Sequence, residues 1–417
     1  MADKKNYRML KFPRAITILM LLFMASLAVE GQTEFDSLKR NSQLDTAYQP
    51  SSKPTFVTEF AELKISGFVQ PALYYDNNNL LSNDVFVTSE IPTSSLTPIK
   101  FRRFHMSANQ SRLGFAFKFP RAKGNLTAYL EGDFLSSSRG AHTYFRLRHA
   151  YMAFGDWLVG QTWTNFGDVN GSPNTLDLEG PNSMPASRVA QIRWKHKMSK
   201  SFTLTLALEE PKADYTPLTN ANTVKAAFPE LVVKPQWNFG HFRWVNSAIY
   251  KPLIYSDSGY TFKKRIPTWG ASTSLTYSFP DADKFHGLIT KKSLNIFLAL
   301  GQGTQGAIND FGGFGYEAFP KDAVTLESMG YAGGYVSFSF VVKGRWTSTY
   351  VYSYLHQQRP EFTNEIFNHS SYFAGNLTYA INKFFNTGGE LLYGYKENHD
   401  GTSGSAFRFL AIIRLIF

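Results

Sequence analysis

The segment SAFRFLAIIRLIF, Ser405 to Phe417, decides how this chain is read. Successive side chains of a strand point to opposite faces, so Phe407, Phe409, Ala411, Ile413, Leu415 and Phe417 share one face. Arg408 and Arg414 share the other. An arginine held against lipid near mid-bilayer costs roughly 2–4 kcal/mol. Both guanidinium groups are therefore expected to look into a wet interior while the aromatic face meets hydrocarbon. The fold class this implies is all-β, a transmembrane antiparallel β-barrel.

Working back from the C-terminus, the same alternation recurs. Leu113, Phe115, Phe117 and Phe119 alternate with Arg112, Gly114, Ala116 and Lys118. Phe202, Leu204, Leu206 and Leu208 alternate with Thr203, Thr205, Ala207 and Glu209. Trp269 to Phe279 sets apolar residues against Gly270 and a row of Ser and Thr, and small inward residues of that kind suit a channel wall better than a plugged core. The pattern predicts about 16 strands, with two more or two fewer left open because the segments around Val245 and Trp269 are the least marked. Connections after even strands are tight, at Gly155-Asp156, Gly240-His241 and Lys343-Gly344. Most of those after odd strands are long: Asp76 to Phe101, Thr164 to Ser187, Gln302 to Gly330. Short periplasmic turns alternating with long extracellular loops are the barrel arrangement.

Composition agrees. Aromatic residues make up 16% of the chain, with 37 Phe and 22 Tyr, yet only 18% of residues are charged. Past the N-terminus there is no apolar run of roughly 18 residues, the length a spanning helix requires. Cysteine is absent, which removes disulfides, thiolate catalysis and Cys-ligated zinc together. Residues 1–31 read as a signal peptide. Lys4, Lys5, Arg8, Lys11 and Arg14 form a basic start, Ala15 to Val29 an apolar stretch, and cleavage is expected after Gly31 or Ala28. Residues 32–62 read as a flexible periplasmic segment and residues 63–417 as the barrel, in the bacterial outer membrane. Removing five basic and two acidic residues lowers the formal net charge from +11 to +8. An exported barrel meets no nucleic acid, so the excess is expected to give the lumen a positive potential that attracts anions.

Strand parity also brings charges together. With Leu113, Leu130, Phe134, Phe145 and Leu147 outward, Arg112, Glu131, Asp133, Arg146 and Arg148 point inward. Tight turns at Ala122-Lys123 and Arg139-Gly140 would set Arg112 and Arg146 opposite Asp133, and Arg148 opposite Glu131. The sixth expected strand adds Arg193 and Lys195 on its inward face, opposite in parity to Ile192 and Trp194. Arg193, Lys195, Arg408 and Arg414 have no acid partner in this scheme and are expected to set the lumen potential. Forked guanidinium donors suit carboxylates. The loop Thr164 to Ser187 carries Asp168, Asp177 and Glu179, and is expected to fold inward as a constriction loop facing the wall arginines.

Three stretches, QSRLGF (Gln110 to Phe115), FRLRHAYMAFGDWLVGQTWTNFGD (Phe145 to Asp168) and TLDLEGPNSMPASRVAQIRW (Thr175 to Trp194), resemble the DcaP-like trimeric porins. The resemblance covers about a fifth of the chain. It implies a 16-stranded homotrimer, embedded in outer-membrane lipid, whose inward arginines favour small anionic, carboxylated solutes. Terminal Phe417 likewise resembles the signal read by the outer-membrane assembly machinery.

Rival classes leave weaker traces. Gly301, Gly303 and Gly306 match a dinucleotide fingerprint, but a Gly- and Phe-rich stretch follows where a helix is required. The nine histidines show no metal-ligand spacing, and no cofactor or metal is expected. An outer-membrane lipase or protease would need a nucleophile with an oriented base, and only His105 near Ser107 and His149 near Tyr151 come close. His149 is expected among lipid-facing aromatics, so the chain is not read as an enzyme. A structural or adhesin barrel with a plugged lumen is the remaining alternative.

Overall fold

The computed structural model describes residues 55–57, 61–78, 80–93, 102–119, 126–135, 144–217, 228–256, 261–280, 289–342, 344–360 and 366–417. The expected signal peptide and the turns at Ala122-Lys123 and Arg139-Gly140 lie outside them. One closed antiparallel sheet holds 19 strand segments. Two staves are each broken once and one segment is an added flap, so the barrel has 16 staves. In chain order, β1 is Glu62–Val69 with Ala72–Asp76, and β2 is Arg103–Ser107 with Arg112–Lys118. Then follow β3 Thr127–Asp133, β4 Arg146–Phe154, β5 Trp157–Trp163, β6 Arg188–Lys197, β7 Phe202–Glu209 and β8 Glu230–Phe239. The second half is β9 Phe242–Ser256, β10 Lys263–Ser278, β11 Ile289–Gln302 and β12 Gly330–Val342. It ends with β13 Trp346–Gln357, β14 Phe367–Ala380, β15 Phe385–Asn398 and β16 Ser403–Ile416.

Closure runs through the segment that opened the reading. β16 pairs with β15 on one side and with both halves of β1 on the other, from Arg408 opposite Asp76 to Ile416 opposite Phe68. Closure removes the two open edges that a flat sheet of these staves would offer to another chain. The breaks in β1 and β2 lie side by side and are stitched by the Gln70 amide N–H donating to Ser111 Oγ at 3.0 Å and by the Gln70–Gln110 side-chain pair. Thr55–Val57, at the end of the lead-in, folds back as a flap on the start of β1. The two least marked segments prove to be the longest staves, β10 with 16 residues and β9 with 15. Their outer halves hold Lys251, Lys263, Lys264 and Arg265, which interrupt the apolar alternation that marks a stave at lipid depth.

Alternation sorts the side chains as lipid demands. Leu377, Leu391, Tyr393, Phe409, Ile413 and Leu415 are exposed on the outside of β14, β15 and β16. Their sequence neighbours Asn376, Leu392, Arg408 and Ile412 are buried inside. Among the described residues no helix is long and apolar enough to cross a membrane. Leu391→Arg is expected to cost the folded barrel roughly 2–4 kcal/mol in lipid, read from urea unfolding in vesicles. An unchanged midpoint would mean that Leu391 does not meet hydrocarbon. Tight turns close the short-loop end, where Gly155 and Gly240 both take φ +55, a left-handed conformation that glycine adopts without strain.

Described segments of three long loops fold into the barrel. Leu80, Phe86 and Ile91 of the first, Phe166 and Met184 of the third, and Ile308 and Phe311 of the Gly303–Met329 connection form one buried apolar cluster. It packs on inward residues of the later staves, including Tyr335, Leu355, Tyr372, Leu392 and Ala406. Here the small inward residues serve a different purpose from the one expected. A Cβ at Gly404 would fall 2.0 Å from the Pro92 carbonyl oxygen, at Gly394 2.7 Å from Ile91, and at Gly333 2.9 Å from Ser183. These glycines are seats for the loops rather than open channel wall, and the lumen is correspondingly narrowed.

Candidate permeation site

The register of β2, β3 and β4 builds an ionic row. Arg112 and Arg146 both stand opposite Asp133, as parity requires. Arg146 donates from Nε and Nη2 to the two Asp133 oxygens at 2.9 Å each, and its side chain remains 42% exposed to the lumen. Arg148 is buried, donating from Nε to Glu131 at 2.8 Å and from Nη1 to Asp133 at 2.8 Å. Arg112 Nε lies 3.5 Å from Glu131, which also accepts from the Tyr129 hydroxyl at 2.6 Å.

One pairing differs from expectation. A β-bulge at Arg148 shifts the ladder by one residue, so Glu131 stands opposite His149 and Gly132 opposite Leu147. The extra residue flips the parity of β4. Phe145 and Leu147 are exposed below the bulge, Met152 and Phe154 above it. His149 is therefore not among lipid-facing aromatics. It is 2% exposed, shares a hydrogen bond with Thr162 Oγ1 at 3.0 Å, and lies against the rings of Tyr129 and Trp163. Strict alternation does not reveal a bulge, which is why the sequence misplaces it.

The third loop folds inward and is tied to the barrel along its length. At its root, Thr164 Oγ1 and the Asn165 amide N–H each donate to Glu209 at 2.6 Å. Asp168 takes both Arg243 donors, at 2.8 and 2.5 Å. Burial pushes its carboxyl up, but the Arg243 guanidinium outweighs this and holds it well below the usual carboxylate range. Further on, the Leu176 and Asp177 N–H groups donate to Glu390 of β15 at 3.0 and 2.6 Å. Asn182 donates to Ser370 of β14 at 2.7 Å and accepts from Ser353 of β13 at 2.5 Å.

The expected constriction acids thus have separate fates. Asp168 is consumed by Arg243. Asp177 is buried, accepting from the Phe86 N–H at 3.1 Å, and burial followed by the nearby Glu390 raises its pKa to about 7. Glu179 faces a cavity of about 490 Å³ enclosed by the first and third loops, the Gly303–Met329 connection and the wall of β4, β5 and β6. Burial, then Asp310 and Asp177, raise its pKa to about 8, while Arg146 and Arg188 act against them from the wall.

Sequence reading missed several of the residues gathered here. Arg188 lines the cavity with its guanidinium 3.8 Å from the Trp163 ring centre. It begins β6 at the loop root, and counting back from Arg193 puts it on the opposite face, so parity did not flag it. Deeper in the lumen, Lys195, Thr205 and Lys234 form one row across β6, β7 and β8. Lys234 donates to the Gly167 carbonyl, and Arg193 to Asn165 Oδ1 at 3.4 Å.

At the other side of the seam, Arg408 does not act as the uncompensated lumen charge expected. It is 1% exposed, donates to Asp76 at 2.6 and 3.0 Å, and is covered by the Ser82 and Val85 carbonyls of the first loop. Its acid lies more than three hundred residues away in sequence, beyond the reach of local pattern. Arg414 faces inward, paired with Gln70 and lying over the Phe68 ring. Among the described residues, no group of three His, Asp or Glu side chains could hold a metal ion.

A closed barrel with an apolar outer belt, a charged interior and loops folded into its lumen defines a channel of the outer-membrane porin class. Residues 35–284 match the family model described as DcaP outer membrane protein, and the chain belongs to that family, in the bacterial outer membrane. The solved outer-membrane channel DcaP of Acinetobacter baumannii has the same fold, with TM-score 0.74 and 19% identity, over 87% of this chain and 99% of that one. An anion-selective porin from Comamonas acidovorans matches with TM-score 0.55 and 11% identity, over 86% of this chain and 100% of that one. No curated protein sequence matches.

Proposed function

We propose that this protein is a passive channel with a preference for small anionic, carboxylated solutes, working as a homotrimer. The observation that carries the reading is the run of bases down one side of the lumen. Arg146 and Arg188 line the cavity, and Arg193, Lys195, Lys234 and Arg243 follow on β6, β8 and β9. Of these, Arg146 and Arg243 are matched to Asp133 and Asp168. Lys195 stays exposed to lumen water. A wet passage between low-dielectric walls concentrates the field of such groups and raises the local anion concentration.

The test is the reversal potential of purified protein in a planar bilayer under a KCl gradient. Chloride is expected to be favoured, and Arg193→Glu with Lys195→Glu to lower the chloride-to-potassium ratio by roughly three-fold or more. Cation preference in the unmodified protein would end the anionic reading. Absence of conductance from folded barrels would favour a structural barrel, a reading for which the buried apolar cluster in the lumen is the supporting observation.

A further inference from the structure

The cavity between loops and wall is not simply basic. On the wall, Arg146, Arg148 and Arg188 line it; the ionic row to which the first two belong, with Arg112, Glu131 and Asp133 behind them, sums to a formal +1, and Arg188 makes it +2. The facing side contributes three carboxylates, Asp84 and Glu90 from the first loop and Glu179 from the third. Asp84 is buried and accepts from Asn109 at 2.8 Å, and Glu90 accepts from Ser82 at 2.6 Å. Lys396 approaches from β15, donating to the Ser89 carbonyl at 2.7 Å. The Asn309 side chain donates to the Glu179 backbone carbonyl, which fixes that residue between the third loop and the Gly303–Met329 connection.

A solute with two carboxylates gains at Arg146 and Arg188 but meets repulsion from Glu90 and, at a pH that ionises it, from Glu179. A solute with one carboxylate and one fixed positive charge finds complementary groups at both ends. The space, about 490 Å³, accommodates a small molecule with some water. We infer that, within the carboxylated solutes, this cavity selects zwitterions, with the carboxylate held by Arg146 and Arg188 and the cationic end by Glu90 and Glu179. The inference rests on the proposed channel function and qualifies its anionic preference: the basic run deeper in the lumen favours a carboxylate, and this cavity favours carboxylates that also carry a fixed positive charge. The groups facing Glu179 are Asp177, Asp310, Arg146 and Arg188. Because they and burial place its pKa at about 8, zwitterion selection is expected to strengthen from about pH 6 to about pH 9.

Uptake into proteoliposomes at about pH 9, where Glu179 is ionised, of three probes of similar size tests this: glycine betaine, whose positive charge is permanent, tert-butylacetate, its uncharged-end isostere, and succinate. Betaine is expected to enter roughly five-fold faster than either anion. Glu90→Gln with Glu179→Gln is expected to abolish that preference and speed succinate, in protein that still migrates as a heat-modifiable folded barrel. Betaine entering no faster than tert-butylacetate, or keeping its lead in the doubly substituted channel, would overturn the inference. If both anions enter and betaine does not lead, only the zwitterion inference fails. If no probe exceeds leakage into protein-free vesicles, the channel function itself fails.

Discussion

Asp76→Ala is expected to destabilise the barrel by about 3–5 kcal/mol, because it leaves a buried guanidinium without its counter-charge. Asp76 is fully buried and receives two donors from Arg408, while Arg103 reaches the same carboxylate at 2.9 Å. With the acid gone, Arg408 retains only the Ser82 and Val85 carbonyls. Neither offsets a full charge kept from water. The effect is concentrated where the barrel closes, since Asp76 and Arg408 are register partners across the β1–β16 seam. Urea unfolding in vesicles measures it. Replacing both partners by apolar residues, Asp76→Leu with Arg408→Met, is expected to recover most of the loss, because an apolar pair carries no desolvation cost. A loss below about 1 kcal/mol in the single variant would mean that water reaches Arg408 and that the first loop does not seal the seam.

The second large effect is expected from filling the loop seats. Gly394→Val with Gly404→Val places side chains where Phe86, Ile91 and the Pro92 carbonyl now lie. Gly404 leaves no room, since the conflict there is with backbone. Overpacking a fitted interior costs about 1–3 kcal/mol per site, and the least costly relief is for the first loop to lift off the wall of β15 and β16. The passage should then widen. Larger single-channel conductance is expected, together with faster proteolysis between residues 80 and 93. Unchanged conductance with intact loops would show that the staves yield instead, and that these glycines do not seat the first loop.

Much of the barrel was legible because lipid enforces a local rule. A residue on a stave meets either hydrocarbon or the interior, and the cost of error is several kcal/mol per charge. Leu391 beside Leu392 shows the limit of that rule, since one meets lipid and the other a loop, and composition does not distinguish them. Parity also placed Arg112, Asp133 and Arg146 in one row. It failed at His149, where one bulged residue inverts the alternation, and at Arg188, where a stave begins at a loop root.

The sequence by itself determined the outer-membrane barrel class and the strand order, because both follow from period-two patterning. The tertiary structure alone decided which charges remain available to a solute. Asp76 neutralises Arg408 and Arg243 neutralises Asp168 across long stretches of chain, while Glu90 and Glu179 are brought to face Arg146 and Arg188. Those pairings depend on how three loops pack together inside the barrel, and loop packing is set by side-chain volume and long-range contact rather than by any repeat in the sequence.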